Sequence, residues 1–385
     1  MKIFYVRFAA CYVLCFFGLM SCSSEGEKES VSTNDIDEFR SYSIDPEKAP
    51  TSFFNLIEEV EVMRLEETPE SLLPGNAAFI GYSKGQYFLN GWSKPDIHVF
   101  KETGGFVRKI NHKGEGPEEY TGIHNFWVKN DRMGLYGGGF IVQYDLDGRF
   151  ISKEKPPIFP MHAYAYEGGY AFDVSQDLIE GPTHYSIMLL DSAMGVKSLT
   201  NPSKRHRIGL NGANSFADYK NTIVYHDPFS DTVFVLEDEE ARPLFNLDFG
   251  KKWAWQDESM REGRDRISET IRNKDLVWVS TTYVGSESIF AFYRRNPQIY
   301  VLIDRKTGEY RHLDFLKSNG EKLWLYPMQW EGDRILCTVQ STDVADIIEE
   351  LGAGKMKFRE GTTLEEIESS ENPVLMWVKF KALTK

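Results

Sequence analysis

A strand, a tight polar turn and a second strand recur along this 385-residue chain at a nearly constant step, and that step constrains the fold more than any other feature. The unit is plainest at Ile97-His-Val-Phe-Lys-Glu-Thr-Gly-Gly-Phe-Val-Arg-Lys-Ile110 and at Ile141-Val-Gln-Tyr-Asp-Leu-Asp-Gly-Arg-Phe-Ile151. Alternating apolar residues put one face of a strand toward a core, and Gly-Gly or Asp-Gly supplies the turn of a hairpin. Looser copies begin at Ile187, Thr232 and Ile299, and a last strand begins at Val374. The first four starts, 97, 141, 187 and 232, are separated by 44, 46 and 45 residues. Near-constant steps of that size mark the blades of a propeller.

The six starts predict an all-β chain folded as a six-bladed β-propeller, with short helical insertions after blade four and in blade six. Blade one is expected over 71–120, with inner strands at Ala77–Tyr82 and Gln86–Asn90, followed by blades over 121–157, 158–202 and 210–250. The later steps, 67 and 75, exceed 45 by 22 and 30 residues. The first excess falls on Lys251–Lys274, where Met260, Ile267 and Ile271 recur at helical spacing. The second holds Val344, Ile347, Ile348 and Leu351 before a Gly352 stop, then Thr363-Leu-Glu-Glu366 as a capping box. Both insertions belong on loops, because a blade interior has no room for a helix. An open array would leave unpaired strand edges, so Phe53–Glu66 is expected to close the ring beside Pro373–Lys381.

The N-terminus reads as an export signal over 1–21. Lys2 and Arg7 precede the apolar run Phe8–Met20, which is shorter than the roughly 20 residues a membrane-spanning helix needs. The run ends in Leu19-Met20-Ser21-Cys22, which resembles the lipobox of bacterial lipoproteins and implies a lipid on Cys22. Ser23 after that cysteine resembles outer-membrane sorting, so the expected location is the outer membrane, periplasmic or surface-exposed. Residues 22–52 are expected to be the acylated cysteine and a flexible tether, since they lack long apolar runs to offset chain entropy. Cys11 and Cys15 leave with the signal, so Cys337 is the one other cysteine and no disulfide forms within the mature chain. It lies in a strand pattern as a small core residue. Formal charge is −14, and loss of Lys2 and Arg7 takes it to −16, which disfavours nucleic acid as a partner.

The hairpin pattern, the lipobox and Gly114-Glu-Gly-Pro-Glu-Glu-Tyr120 together resemble the six-bladed TolB-like or NHL-like propeller lipoproteins of Gram-negative bacteria. Members of that family often carry Gly-x-Gly-Pro-Gly-Glu-Tyr after the first blade; here Glu118 replaces the glycine that follows proline. Ser230–Phe234 and Glu371–Leu375 resemble further strands of the family. The family is mostly without an assigned activity, so the resemblance implies fold and compartment.

Candidate ligand-binding residues fall in four groups. Glu115, Glu118 and Glu119, with His112 and Tyr120, surround a rigid Gly-Pro reversal that could offer oxygens to a hard cation or to a sugar. None of the eight histidines shows the spacing of a helical zinc site, but His124, His162 and His226 lie near ends of inner-strand patterns, which converge on a propeller axis. Aromatic clusters at Trp92, Phe126-Trp127, Tyr164/Tyr166, Trp253/Trp255 and Trp324/Tyr326/Trp330 serve intersheet packing or offer flat platforms to a glycan. Arg294-Arg295 sits at a turn between two strands and could hold an anion bidentately.

No nucleophile elbow, Walker loop or dinucleotide fingerprint is present. The expectation is therefore a monomeric, non-enzymatic, membrane-anchored binding or scaffold propeller for a glycan, peptide or protein, without a cofactor. The alternative is a metal-assisted hydrolase or lactonase-like enzyme, which requires three or four Asp, Glu, Asn or His side chains around an axial ion such as Ca2+.

Overall fold

Ile97–Lys101 and Phe106–Ile110 pair through a turn at 102–105, and this hairpin forms the outer half of one sheet. The computed structural model describes residues 37–73, 75, 77–91, 94–175, 183–203, 214–256, 264–295 and 297–383. Six sheets follow one another along the chain. Blade one consists of Ala77–Ser83, Gln86–Gly91, Ile97–Lys101 and Phe106–Ile110; blade two of Asn125–Lys129, Arg132–Gly137, Phe140–Asp145 and Phe150–Glu154. Blade three consists of His162–Tyr166, Gly169–Asp173, His184–Leu190 and Val196–Ser203; blade four of Phe216–Tyr219, Thr222–Tyr225, Thr232–Glu237 and Glu240–Asp248. Blade five consists of Val279–Val284, Ser288–Arg294, Gln298–Asp304 and Tyr310–Asp314. Blade six takes Leu325–Glu331, Arg334–Val339 and Val374–Phe380 from the end of the chain and Ile57–Met63 from its beginning. Ring closure is therefore the expected one, with Val60 opposite Val378 and Val62 opposite Met376.

In blades one, two and three the first two strands are joined by two-residue turns whose central residues both take positive φ. Asn130 and Asp131 have φ of 50° and 57°, Lys84 and Gly85 of 49° and 71°, and Glu167 and Gly168 of 41° and 76°. Positive φ at both positions is the twist that suits a two-residue hairpin. Short turns thus occupy one end of the ring. The connections that lead from one blade into the innermost strand of the next, including 111–124 and 249–278, occupy the other, as does the 340–373 connection inside blade six.

Adjacent blades bury one apolar cluster at each of the six junctions. Phe88, Val99, Leu135 and Tyr144 fill the junction of blades one and two, and Leu89, Phe100, Leu336 and Trp377 that of blades six and one. The aromatic content is largely consumed in this way. Cys337 belongs to the cluster between blades five and six, fully buried, and burial pushes its thiol well above the usual range.

The helices have the expected boundaries in part. Arg264–Arg272 is helical with Ile267 and Ile271 against the blade four–five core, whereas Met260 lies outside the described residues. Val344–Leu351 ends at Gly352, whose φ is 78° and whose N–H donates to the Ile348 carbonyl. Thr363 and Glu366 form the reciprocal capping box of Leu364–Glu368.

The stretch expected as a flexible tether over 22–52 is structured in its second half. From Asp37 onward the chain is ordered against the ring: Arg40–Ser43 adds a parallel fifth strand beside Phe245–Asp248, and Thr51–Ser52 pairs with Leu313 and Asp314. Tyr42 and Ile44 are buried among the side chains of blades four and five. Two apolar residues suffice here because sheet edges supply the backbone partners, a contribution that composition does not register. Asp37 is an ion-pair partner of Arg305, which is 1% exposed and also donates to the Gly285 carbonyl at 2.9 Å. The signal segment, Cys22 and residues 23–36 lie outside the described residues.

Candidate functional site

The innermost strands of all six blades line one channel, with a cavity volume of about 300 Å³. Blades one and two contribute Phe79, Ile80 and Phe126, blade three Tyr164, and blade four Phe216, Ala217 and Asp218, with Asn214 just before the strand. Blade five contributes Thr281 to Val284 and blade six Pro327 to Trp330. Period-2 alternation sends one face of an inner strand into a junction and the other toward the axis, so both faces carry bulky residues. A bulge between Pro327 and Gln329 brings consecutive residues of blade six to the channel wall. Trp330 is fixed by its indole N–H, which donates to the Tyr283 carbonyl at 2.8 Å, and its ring lies where a side chain at Gly285 would stand.

Near the short-turn end, an ion pair spans three blades. The Lys129 ammonium of blade two meets Asp218 of blade four at 2.6 Å, donates to the Ala165 carbonyl at 3.1 Å and sits 4.8 Å above the Tyr164 ring. Burial first, and the Asp218 carboxylate second, raise the Tyr164 phenol well above its ordinary value, so it stays neutral. Three polar groups of the channel have atoms with no hydrogen-bond partner among the described residues. Asn214 accepts the Phe216 N–H through its side-chain oxygen at 3.1 Å, leaving its amide nitrogen open. Gln329 donates to Glu331 at 3.0 Å, leaving its oxygen open, and the Thr281 hydroxyl makes no side-chain hydrogen bond to the described residues.

Two buried histidine networks flank the channel near the other end. His226, beside a small recess lined also by Asn214, Ser215 and Thr281, has both nitrogens engaged. Its Nε2–H donates to the Ser230 carbonyl at 3.1 Å, so Nδ1 accepts from the Thr282 hydroxyl at 3.1 Å. Burial depresses its pKa, so the ring stays neutral. His162 meets the Ser215 hydroxyl at 2.7 Å, and Ser215 donates to Asp173 at 2.6 Å. Because the serine proton is spent on the carboxylate, Nδ1 of His162 must donate; this serine is not activated by the histidine. Burial opposes ionisation of Asp173, yet hydrogen bonds from His162, Ser215 and Ser175 hold its pKa below 3.8.

The remaining sequence candidates are dispersed. In the 114–120 turn, the Glu119 carboxylate folds back to accept the Gly116 N–H at 2.8 Å and occupies the space a Gly114 side chain would need. Glu115 and Glu118 are exposed and do not converge with Glu119 on a common point. His112 stacks on Tyr144 at 4.8 Å and bonds the Gly148 carbonyl at 2.9 Å, while burial pushes the Tyr120 phenol up to about 12. His124 is exposed beside Tyr136, and Trp127 is packed against Tyr164 and Tyr170. Trp253 and Trp255 are buried: one stacks on Phe249, and the other donates to the Trp278 carbonyl at 2.7 Å. Arg294 lies over Trp278 at 5.8 Å, and Arg295 pins the N-terminal segment through Glu47 and the Pro46 carbonyl. Trp92 lies outside the described residues. Among the described residues no three His, Cys, Asp or Glu side chains are grouped to hold a metal ion, so the axial ligand ring required by the enzymatic alternative is not seen there.

Of the channel residues, the sequence marked Phe126, Tyr164 and Trp330 as aromatics but gave no sign that Thr281, Asn214 and Gln329 would face them. Position on, or just before, an innermost strand is the signal that could have found them.

Comparison with known proteins places the fold in context. A Bacteroides fragilis protein taken to be exported has a solved structure that matches with a TM-score of 0.70 at 15% identity, covering 90% of this chain and 100% of that one. A member of the duf4221 family from Bacteroides vulgatus matches with a TM-score of 0.44 at 12% identity, covering 85% and 97%. The first of these likenesses speaks to fold alone. No curated protein matches the chain. The profile of a domain of unknown function, DUF4934, matches residues 41–379, nearly the whole ordered ring, and the chain belongs to that family.

Proposed function

We propose that this protein is a non-catalytic binding or scaffold propeller, held at the outer membrane of a Gram-negative cell through a lipid on Cys22. The observation that carries the binding reading is the channel: its walls are inner strands of all six blades, and three of its lining polar side chains have atoms with no partner among the described residues. Such a preformed cavity of mixed character is the usual form of a small-ligand site. Export is supported by the N-terminal signal pattern and by the B. fragilis protein of similar fold. The hydrolase alternative has less support, because the one carboxylate among the described lining residues, Asp218, is already paired with Lys129.

Two measurements test this reading. In a Gram-negative host, radiolabelled palmitate should be incorporated into the full chain and not into Cys22→Ala; labelling of both would remove Cys22 as the anchor. Thermal shift of the full chain against pools of oligosaccharides, peptides and envelope proteins should reveal a stabilising pool, since a ligand that binds only the native state raises the melting temperature. Ala217→Trp, which fills the channel, should abolish that shift. Persistence of the shift would exclude the channel, and chelator-sensitive ester or lactone hydrolysis would favour the enzyme.

A further inference from the structure

The channel's chemistry points beyond binding in general to a class of ligand. We propose that it takes the end of a neutral oligosaccharide, an inference that rests on the binding reading above and adds the identity of what is bound. The walls include the partly exposed rings of Phe79, Tyr164 and Trp330, against which the C–H face of a pyranose ring can stack, since polarised C–H bonds meet the negative π face. The open polar atoms include a donor, the Asn214 amide nitrogen; an acceptor, the Gln329 oxygen; and the Thr281 hydroxyl, which is both. Sugar hydroxyls are likewise donor and acceptor at once. They can satisfy all three groups, which an acyl chain would leave unpaired at a cost.

Charge argues the same way. Among the described lining residues, the one ionised side chain is Asp218, and Lys129 compensates it at 2.6 Å. A charged ligand would lose its hydration on entering without gaining an unpaired counter-charge. The approach to the channel extends the platform. Tyr326, 38% exposed, immediately precedes the channel-lining Pro327, and Trp324, 56% exposed, lies two residues earlier. From Trp324 to Trp330 the strand covers about 20 Å, enough for more than one sugar ring. Both exposed rings lie at the long-loop end of blade six's inner strand, which leads into the channel-lining Pro327 to Trp330.

Isothermal titration and tryptophan fluorescence of the full chain test the proposal, using maltohexaose, cellohexaose, xylohexaose and mannohexaose beside hexagalacturonate, a chondroitin sulfate hexasaccharide and a random hexapeptide pool. At least one neutral hexasaccharide should bind with a dissociation constant below about 1 mM, the weak end of specific affinity. Thr281→Val and Gln329→Leu, each of which removes one hydrogen-bonding group, should weaken it by about three- to tenfold. Trp324→Ala, an exposed site that folding tolerates, should also weaken it, whereas Phe159→Ala, an exposed ring in the blade two–three connection, should not. If an anionic saccharide or peptide binds instead with the same sensitivity to these variants, the neutral-sugar assignment is wrong and the binding reading stands. Neutral-sugar binding indifferent to Thr281→Val and Gln329→Leu would overturn the assignment to the channel. Absence of binding by the whole panel would count against both readings.

Discussion

His226 has no free nitrogen, and adding a proton to it would put an N–H where Nδ1 now accepts from Thr282. Burial is the main cause of its lowered pKa, opposed only partly by the Ser230 carbonyl and the nearby Asp227 and Asp231. His98 and His312 are shifted the same way, again chiefly by burial. In each case the unfolded chain binds a proton near its ordinary value of 6.5 that the folded protein resists. The stabilisation is therefore complete above that pH and declines as pH falls below it. Asp173, held below 3.8, adds a second loss only as pH falls through that lower range. Melting temperature should accordingly drop between pH 7 and pH 5, and His226→Gln should flatten the drop by up to one proton, about 1.4 kcal/mol per pH unit. An unaltered pH profile in that variant would show that His226 titrates normally.

At the scale of elements, the turn at 114–120 is held by a neighbour distant in sequence. The Lys153 ammonium, on the outer strand of blade two, donates to the Gly116 carbonyl at 2.8 Å and to the Glu119 carbonyl at 2.7 Å. Tyr144, on the third strand of blade two, adds a hydrogen bond to the Glu118 carbonyl at 2.6 Å. Lys153→Met keeps much of the side chain's length while leaving both carbonyls without that donor, and should cost about 1–3 kcal/mol in urea denaturation. Proteolysis should then concentrate at 113–119; a variant as stable as the parent would mean that the turn holds itself. Outer edges differ between the two halves of the ring. Blades four, five and six each gain a parallel fifth strand, from Arg40–Ser43, Thr51–Ser52 and Met356–Phe358. The outer strands of blades one, two and three carry Arg108 and Lys109, Lys153, and Lys197, charges that discourage edge-to-edge pairing with another molecule.

For the whole molecule, closure depends on one strand from the beginning of the chain. Ile57–Met63 lies between Val374–Phe380 and Met356–Phe358, with Ile57, Val60, Val62 and Met63 fully buried. Deleting residues through 52 removes the added edges of blades four and five but leaves this strand, so the product should fold with a lowered melting temperature. Deleting residues through 63 should abolish cooperative unfolding and near-ultraviolet circular dichroism, because blade six then exposes its core. Gel filtration and calorimetry of the two products distinguish these outcomes. Cooperative melting of the shorter product at the parent's temperature would show that the ring closes otherwise.

The periodic hairpins at Ile97 and Ile141, the Gly352 stop, the Thr363–Glu366 box and the closing strand were all legible in the sequence, because hydrogen bonding and burial within a blade act over short distances with fixed periods. The partners of Asp37 were not, since Arg305 and Tyr219 come from two different blades. Nor was the destination of Trp253 and Trp255, whose spacing suits an exposed platform as well as a core. The channel was the least visible feature: Asn214, Thr281 and Gln329 are ordinary polar residues until six strands from separate blades are brought around a common axis. Local sequence determined what each blade would be, while only the closed ring, which joins residues far apart in the chain, decided which side chains would share a cavity.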